Sequence, residues 1–126
     1  MEIIGHGIDI VEFECINRIL NRSGDHFLSR CFTPIELSAC CGDAHRVRYL
    51  AGRFAAKEAV LKALGTGWSQ GISFLDIEIY RLDTGQPAIQ LYAGGKEKAT
   101  ELHVSKWLIS ISHSESYTVA SVIAVG

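Results

Sequence analysis

Residues 53–67, RFAAKEAVLKALGTG, contain charged side chains where a regular helix would have apolar ones. At about 100° per residue, the stretch predicts the second half of a long helix that ends at glycine. Lys57 falls inside the apolar face, Glu58 falls at its edge, and Lys62 lies one turn beyond Glu58. Charges on the packing side of a helix are costly unless they are paired or bind a ligand. The apolar face is formed by Leu50, Phe54, Val60, Leu61 and Leu64.

Two interpretations of these charges stay open from the stretch alone. Glu58 and Lys62 can form an ordinary surface pair at i, i+4, while the aliphatic stem of Lys57 carries its ammonium group outward. Alternatively, the three groups belong to a site that holds a metal ion or an anionic ligand.

The composition is that of a globular protein. The 126 residues are 48% hydrophobic and 21% charged, which predicts one domain over residues 1–126. A net charge of −2 is unlike that of a protein that coats nucleic acid. No apolar run has the length of a membrane span, and the N-terminus lacks the basic start of a signal peptide. We therefore expect a cytoplasmic protein with no nucleic-acid or membrane partner, whose four cysteines are reduced.

The order of the predicted elements indicates an α+β fold, with a mainly antiparallel sheet packed against a long helix. Thr33, Pro34 and Glu36 form a strong helix start with a capping box, and Gly65 and Gly67 end the long helix. The turn at 83–87 predicts a hairpin between its flanking strands. The predicted strands cover 2–11, 72–82, 88–92, 106–113 and 117–125, and the predicted helices cover 12–21, 27–32, 33–41, 46–64 and 94–102.

The first strand has an unusual face. Gly5, Gly7 and Asp9 share one side of it, and glycine within a strand often marks the close approach of another backbone or of a ligand. Asp9 is therefore a candidate ligand or base beside an open surface, or else it only begins the next turn. Asp9 and Glu58 are the hard oxygen ligands that suit Mg²⁺, and the nearby lysines suit phosphate chemistry.

Ser112 and His113 raise the possibility of a serine hydrolase. Neighbouring residues of a strand point to opposite faces, and the sequence has no G-x-S-x-G motif. We therefore exclude nucleophilic catalysis by this pair.

Three blocks of sequence occur in a fixed order: GIDIVE at 7–12, AGRFAAKEAVLKALGTG at 51–67 and WLISISHS at 107–114. Together they resemble the holo-acyl-carrier-protein synthase family, the small, stand-alone type of 4′-phosphopantetheinyl transferase. The resemblance covers nearly the whole chain. It implies the fold of those transferases and the transfer of 4′-phosphopantetheine from coenzyme A to a serine of an apo-acyl carrier protein, with release of adenosine 3′,5′-bisphosphate.

The resemblance also implies roles for individual residues. Asp9 and Glu58 would hold the cofactor Mg²⁺, and Glu58 and Lys62 would be catalytic, although the group that takes the serine proton stays open between a water at the metal, Glu58 and Lys62. The family forms homotrimers with sites shared between subunits. The residues implied to bind coenzyme A are Arg53, Lys57, Lys62, Gly65, Gly85, Gln86, Pro87, His113 and Ser114.

One position departs from the family pattern. Cys15, preceded by Glu14, stands where the family commonly has a basic residue that docks the acidic carrier. Arg18 and Arg22 are the candidates to replace that residue, with Arg30 nearby. The departure keeps two alternatives open: a non-catalytic module that binds coenzyme A, and a Mg²⁺-dependent phosphohydrolase acting on a nucleotide.

Overall fold

The computed structural model describes residues 1–40, 42–66 and 71–126. Helices and strands follow one another in the predicted order, which confirms the α+β class. No helix in these ranges is both long enough and apolar enough to cross a bilayer. The elements are β1 (Ile3–Glu12), α1 (Phe13–Cys31), α2 (Pro34–Ser38), α3 (Asp43–Leu64), a 3₁₀ helix (Phe74–Asp76), β2 (Ile77–Arg81), β3 (Pro87–Leu91), α4 (Ala93–Glu101), β4 (Lys106–His113) and β5 (Tyr117–Val125).

The strands form two antiparallel sheets. The larger sheet has the order β1-β5-β4, and the predicted hairpin forms a separate sheet of β2 and β3. In the larger sheet Asp9 is opposite Ala120, and Ile109 is opposite Val122. The helix α3 packs against β1 and β5 over one face of this sheet, as the sequence predicts.

The glycine face of β1 lies in backbone contact with α3. A Cβ atom added to Gly5 would lie 1.9 Å from the carbonyl oxygen of Ala63, and one added to Gly7 would lie 1.9 Å from that of Ala59. The glycines therefore admit a helix rather than a ligand, and the prediction of an open surface beside Asp9 is wrong for this part of the strand.

Local sequence signals set several of the boundaries. Thr33 and Glu36 form the predicted capping box, and Gly65 ends α3 with a φ of 74°, in the left-handed region that favours glycine. The two helices predicted before residue 33 are one helix, α1, interrupted at Ser23 (φ −151°).

Other boundaries differ from the prediction. α3 begins at Asp43 rather than at residue 46, and α2 ends at Ser38. A 3₁₀ helix replaces the start of the strand predicted at 72–82, because Ser73 caps it and accepts a hydrogen bond from the Leu75 amide. Cys41 and Gly67, included in two predicted helix ends, lie outside the described residues.

The opposite side of the larger sheet carries exposed apolar residues. Ile8, Ile10 and Leu108 are 53%, 62% and 46% exposed, and pairing across the strands places them on one face with Val119 and Ile123. We call this surface the outer sheet face. Ser110, Ser112 and Ser121 share this face. Several large apolar side chains exposed on one face are typical of an interaction surface.

We expect the contact between β1 and α3 to tolerate no side chain. Gly7→Ala should lower the free energy of unfolding by about 3 kcal/mol or more, because the new methyl group must displace helix backbone. Urea unfolding at a fixed protein concentration measures the loss.

Gly24→Ala is the matched control, because nothing lies within 4 Å of a Cβ added there. It should change the stability by less than about 1 kcal/mol. Equal effects of the two substitutions would contradict the close approach of strand and helix.

Candidate active site

Three of the predicted site residues line one cavity. Asp9, near the end of β1, and Glu58 and Lys62, on α3, border a space of about 500 Å³. The Lys62 ammonium donates hydrogen bonds to the Asp9 carboxylate (3.1 Å) and to the Ile8 carbonyl (2.9 Å). We call this space the carboxylate cavity. Its other lining residues are Ile10, Val11, Glu12, Cys15, Ile16, Ile19, Phe54 and Tyr117.

The backbone contact of β1 with α3 explains this grouping. Gly5 faces Ala63 and Gly7 faces Ala59. Two residues of β1 span about 7 Å and four residues of α3 span about 6 Å, so the two elements run side by side at matching spacing. The same spacing places Asp9, two residues after Gly7, beside the turn of α3 that contains Glu58.

The surroundings of Glu58 alter its ionisation. Burial raises the pKa of Glu58, the nearby negative charge of Asp9 raises it further, and Lys62 opposes both effects. Among the ion pairs of the described residues, Lys62 is paired with Asp9 and not with Glu58. The interpretation of Glu58 and Lys62 as an ordinary i, i+4 surface pair is therefore wrong.

The donor set of the cavity suits Mg²⁺. Within the described ranges no three His, Cys, Asp or Glu residues come together as a metal cluster. Two carboxylates are nevertheless a sufficient protein contribution for Mg²⁺, which completes its octahedral shell with waters and substrate phosphates. Asp9 and Glu58 fit such an ion in this cavity.

Lys57 lies elsewhere, in the interior. Its side chain has no exposed surface, and its ammonium group donates to the Glu36 carboxylate (2.6 Å) and to the carbonyl oxygens of Cys31 (2.6 Å) and Phe74 (3.0 Å). Burial lowers the pKa of Lys57, and Glu36 opposes that shift. The predicted outward course of its stem is wrong. Because an ammonium group has three N–H donors, this geometry leaves none for a coenzyme phosphate.

Glu36, the buried partner of Lys57, is a residue that the sequence assigned only to a helix start. Its carboxylate also accepts hydrogen bonds from the backbone amides of Thr33 (2.8 Å) and Ile79 (2.9 Å). We call Lys57 and Glu36 the buried ion pair. The misplaced charge of Lys57 on an apolar face was the available signal for a partner, but no spacing rule connects residues 36 and 57.

A second group of predicted residues lines a separate, cationic space. Arg53, Gly85, Pro87 and His113 border a cavity of about 280 Å³ between α3, the β2–β3 turn and the end of β4. Gly85 has a φ of 91°, which the turn requires. We call this space the basic cavity. Its lining also includes His45, Arg48, Tyr49, Gly52, Arg81, Ile111 and Thr118.

Arg53 is largely buried between neighbouring groups. Its guanidinium lies 4.4 Å from the centre of the Tyr49 ring, and its Nε has no hydrogen-bond partner among the described residues. Arg48 and Arg81, which the sequence analysis missed, add exposed positive charge to the same cavity. Arg48 lies five residues before Arg53, about 1.4 helical turns, so the i, i+4 spacing that brings Tyr49 to Arg53 does not reveal it.

The remaining predicted residues do not join either cluster through their side chains. Gln86 lines a neighbouring space between β3 and β4, and Gly65 caps α3. The hydroxyl of Ser114 accepts backbone hydrogen bonds within its own turn. Arg18 and Arg22 are exposed on α1. A hydrogen bond from the Arg18 guanidinium to the Cys15 sulfur (3.3 Å) raises the pKa of Arg18.

The predicted site is thus divided within one chain. Over the described residues, the carboxylate cavity and the basic cavity have no lining residue in common. The carboxylate cavity instead adjoins a third space of about 540 Å³, with which it shares Ile19 and Phe54. We call this third space the apolar cavity. It is lined by Ile19, Ser23, His26, Phe27, Arg30, Cys31, Phe54, Gly71, Ile72, Ser73 and Phe74.

Comparisons with known proteins identify the family. A profile of the 4′-phosphopantetheinyl transferase superfamily matches residues 5–122. A holo-[acyl-carrier-protein] synthase of Shewanella amazonensis is 45% identical over 123 residues, which cover 98% of this chain and 98% of the relative.

Solved structures give the same result. The holo-[acyl-carrier-protein] synthase of Neisseria meningitidis has a TM-score of 0.91 and 36% identity, and the match covers 99% of this chain and 100% of that one. The Helicobacter pylori synthase in complex with coenzyme A has a TM-score of 0.84 and 35% identity, with 95% and 99% coverage.

Replacement of Lys57, directly before Glu58, and of Lys62, four residues after it, should have sharply different effects on stability. Lys57→Met should cost about 3–5 kcal/mol of unfolding free energy, because it leaves the Glu36 carboxylate buried without its cation. Lys62→Met should cost less than about 1 kcal/mol, since the Lys62 side chain is 52% exposed. Equilibrium unfolding of both variants measures the difference. Similar losses would show that the interior position of Lys57 is wrong.

Proposed function

This chain belongs to the 4′-phosphopantetheinyl transferase superfamily, and we propose that it transfers 4′-phosphopantetheine from coenzyme A to a serine hydroxyl of an apo-acyl carrier protein. The observation that carries the proposal is the carboxylate cavity, where Asp9, Glu58 and Lys62 meet. The second product is adenosine 3′,5′-bisphosphate. We further propose that residues 1–126 act as one domain, because one cluster of buried residues includes members from β1 to β5.

Asp9 and Glu58 are the residues that would hold Mg²⁺. When bound, the ion neutralises charge on the pyrophosphate oxygens. Lys62 is held beside the carboxylates by two hydrogen bonds, which leaves one N–H free to contact the phosphate that is transferred. Glu58 and Lys62 are the catalytic residues of this proposal. A fixed positive charge next to the phosphate lowers the energy of the transition state without reorganisation.

The basic cavity is the proposed position for the adenosine bisphosphate end of coenzyme A. Its arginines supply the charge and the planar donor groups that phosphate recognition uses, and the turn of Gly85, Gln86 and Pro87 forms the adjacent wall. Arg53, His113 and Ser114 stay in this proposal with Gly65, whereas the buried ion pair removes Lys57 from it.

A homotrimer with shared sites accounts for two observations together. The outer sheet face presents apolar residues to solvent, and the residues for metal and for coenzyme lie in different cavities of one chain. If the outer sheet face packs against other copies, the basic cavity of one subunit can meet the carboxylate cavity of its neighbour.

The carrier protein is proposed to dock on α1. Arg18 and Arg22 are exposed there, and an acidic carrier would complement them. A cytoplasmic location fits the free thiols of Cys15 and Cys31.

The transfer itself is tested by mass spectrometry. We expect an apo-carrier protein to gain the mass of phosphopantetheine when it is incubated with this protein, coenzyme A and Mg²⁺. Asp9→Ala and Glu58→Ala should each slow the reaction about a hundredfold or more, and a chelator should stop it until Mg²⁺ is restored. Cys40→Ser, outside both cavities, is the control.

Two outcomes would contradict the proposal. Coenzyme A binding without any mass gain on a panel of carriers would favour a binding module. Release of the nucleotide with water as the only acceptor would indicate a phosphohydrolase.

Shared sites predict that two inactive variants restore each other. Asp9→Ala and the double variant Arg48→Ala/His113→Ala, co-expressed in equal amounts, should regain about one quarter of the wild-type activity, because a working site needs an intact half from each of two randomly mixed neighbours. Asp9→Ala mixed with Glu58→Ala is the matched control and should regain none. If neither mixture regains activity, shared sites are excluded.

A further inference from the structure

We propose that Lys57 is a positioning residue of the transfer reaction. It holds the end of α1 and the 3₁₀ helix, which form the cavity wall that faces the carrier protein, at a fixed distance from Glu58. The proposal rests on the function proposed above. Lys57 touches neither coenzyme nor carrier in this scheme, because its side chain has no exposed surface. It acts through the segments that its ammonium group holds.

The ammonium group joins α3 to the ends of two other segments. One hydrogen bond goes to the carbonyl oxygen of Cys31, the last residue of α1, and another goes to that of Phe74 in the 3₁₀ helix. Because Lys57 precedes Glu58 directly on α3, each of these bonds sets the distance from a neighbouring segment to the turn that carries the catalytic carboxylate.

Both segments form the wall of the apolar cavity. Cys31 and Phe74 themselves line it, and the cavity shares Ile19 and Phe54 with the carboxylate cavity. α1 therefore borders both spaces. Its second half, which Lys57 holds, lines the apolar cavity and carries the exposed Arg30. A displacement of α1 changes the surface over which a carrier must place its serine.

The interruption of α1 gives the hydrogen bond from Lys57 to Cys31 its importance. Ser23 has non-helical dihedral angles, so the first half of α1 does not rigidly fix the second half. The bond from Lys57 to Cys31 anchors the far end of the second half. The next such bonds along the chain, from Thr33 to Glu36 and Glu78, lead to α2 and β2, whereas the bond from Lys57 is a directional link of this half to α3.

An ammonium group is chemically suited to this task. Burying an ion pair is a poor way to gain stability, since well-packed apolar residues often stabilise a protein as much or more. An apolar side chain at position 57, however, cannot donate to two carbonyl oxygens on different segments. The directional bonds, rather than the charge, are what the position supplies.

Glu36 has a separable role. Its carboxylate joins α2 to β2 through the amides of Thr33 and Ile79, and these bonds do not involve Lys57. Removing the ammonium group therefore leaves intact the frame that supports Tyr49, Arg53 and Arg81 around the basic cavity. Removing the ammonium group should therefore weaken the use of the carrier protein and not the use of coenzyme A.

Steady-state kinetics of Lys57→Met and of Lys57→Met/Glu36→Gln, with the carrier that the unaltered protein modifies fastest, tests this role. The double variant leaves no buried unpaired charge, so it should recover part of the stability lost in the single variant. Recovery is incomplete because the NH2 group of glutamine cannot accept one of the two backbone hydrogen bonds that Glu36 accepts. In both variants we expect KM for the carrier to rise about fivefold or more. In Lys57→Met, which keeps both bonds from backbone amides to Glu36, KM for coenzyme A should change less than about twofold.

Two controls separate positioning from general weakening of the fold. Glu36→Gln keeps the bonds from Lys57 to Cys31 and Phe74, so its KM for the carrier should stay within about twofold of wild type. Val122→Ala, in the buried centre of β5, should destabilise the protein without altering the bonds from Lys57 to Cys31 and Phe74. It should leave both KM values unchanged at a temperature where the variant is folded.

The outcomes that overturn the proposal are distinct from failure of the proposed function. A double variant that regains both stability and the wild-type KM for the carrier would show that Lys57 is only structural, and so would a folded Lys57→Met variant with the wild-type KM for the carrier. Equal increases in both KM values of Lys57→Met would also overturn the role. Absence of turnover by the unaltered protein would instead contradict the transferase activity. In that case hydrogen exchange of residues 24–31 still tests whether the bond from Lys57 to Cys31 holds this part of α1. Lys57→Met/Glu36→Gln should speed the exchange of these amides, and Glu36→Gln should not.

Discussion

The contact of a strand backbone with a helix backbone is the constraint on which this structure depends. Gly5 and Gly7 let β1 approach α3 until only hydrogen atoms separate the glycine Cα atoms from helix carbonyl groups. At that distance the register of strand and helix is fixed by contact, and it cannot shift without moving a peptide unit. Asp9 is two residues beyond Gly7, so its place beside Glu58 follows from the packing and needs no specific interaction between them.

The same helix separates a charge that serves structure from the charges proposed to serve catalysis. Lys57 turns inward and uses its donors on Glu36 and two carbonyl groups, whereas Glu58 and Lys62 face the carboxylate cavity. Since successive residues differ by about 100° around the axis, neighbours in sequence face different surroundings. A sequence pattern that combines these charges into one site therefore mixes two physical roles.

The sequence predicted those parts that local rules govern. The capping box at Thr33, the glycine end of α3 at Gly65 and both β4 and β5 depend on neighbouring residues, and they appear as predicted. The grouping of Asp9, Glu58 and Lys62 in one cavity was also predicted, because a carboxylate at a strand end and charges on an apolar face are visible as anomalies. The family resemblance added Arg53, Gly85 and His113, which no spacing rule connects.

The parts that were missed depend on contacts distant in sequence. Glu36 lies 21 positions from Lys57, and Arg48 and Arg81 meet only because the hairpin folds over α3. No spacing rule shows the division of these residues between two cavities, and only the family resemblance implied sites shared between subunits. The separation of the sheet into two, with β2 and β3 apart from the rest, belongs to the same class of long-range outcomes.

The division of the site also bears on how the rate would respond to dilution. A site completed by a neighbouring subunit exists only in the assembled state, so the rate per subunit falls once the protein is diluted below the concentration at which subunits dissociate. The observed rate would then rise more steeply than in proportion to protein concentration. A cell could thus switch such an enzyme by changing its amount across a narrow range, with no effector and no covalent modification.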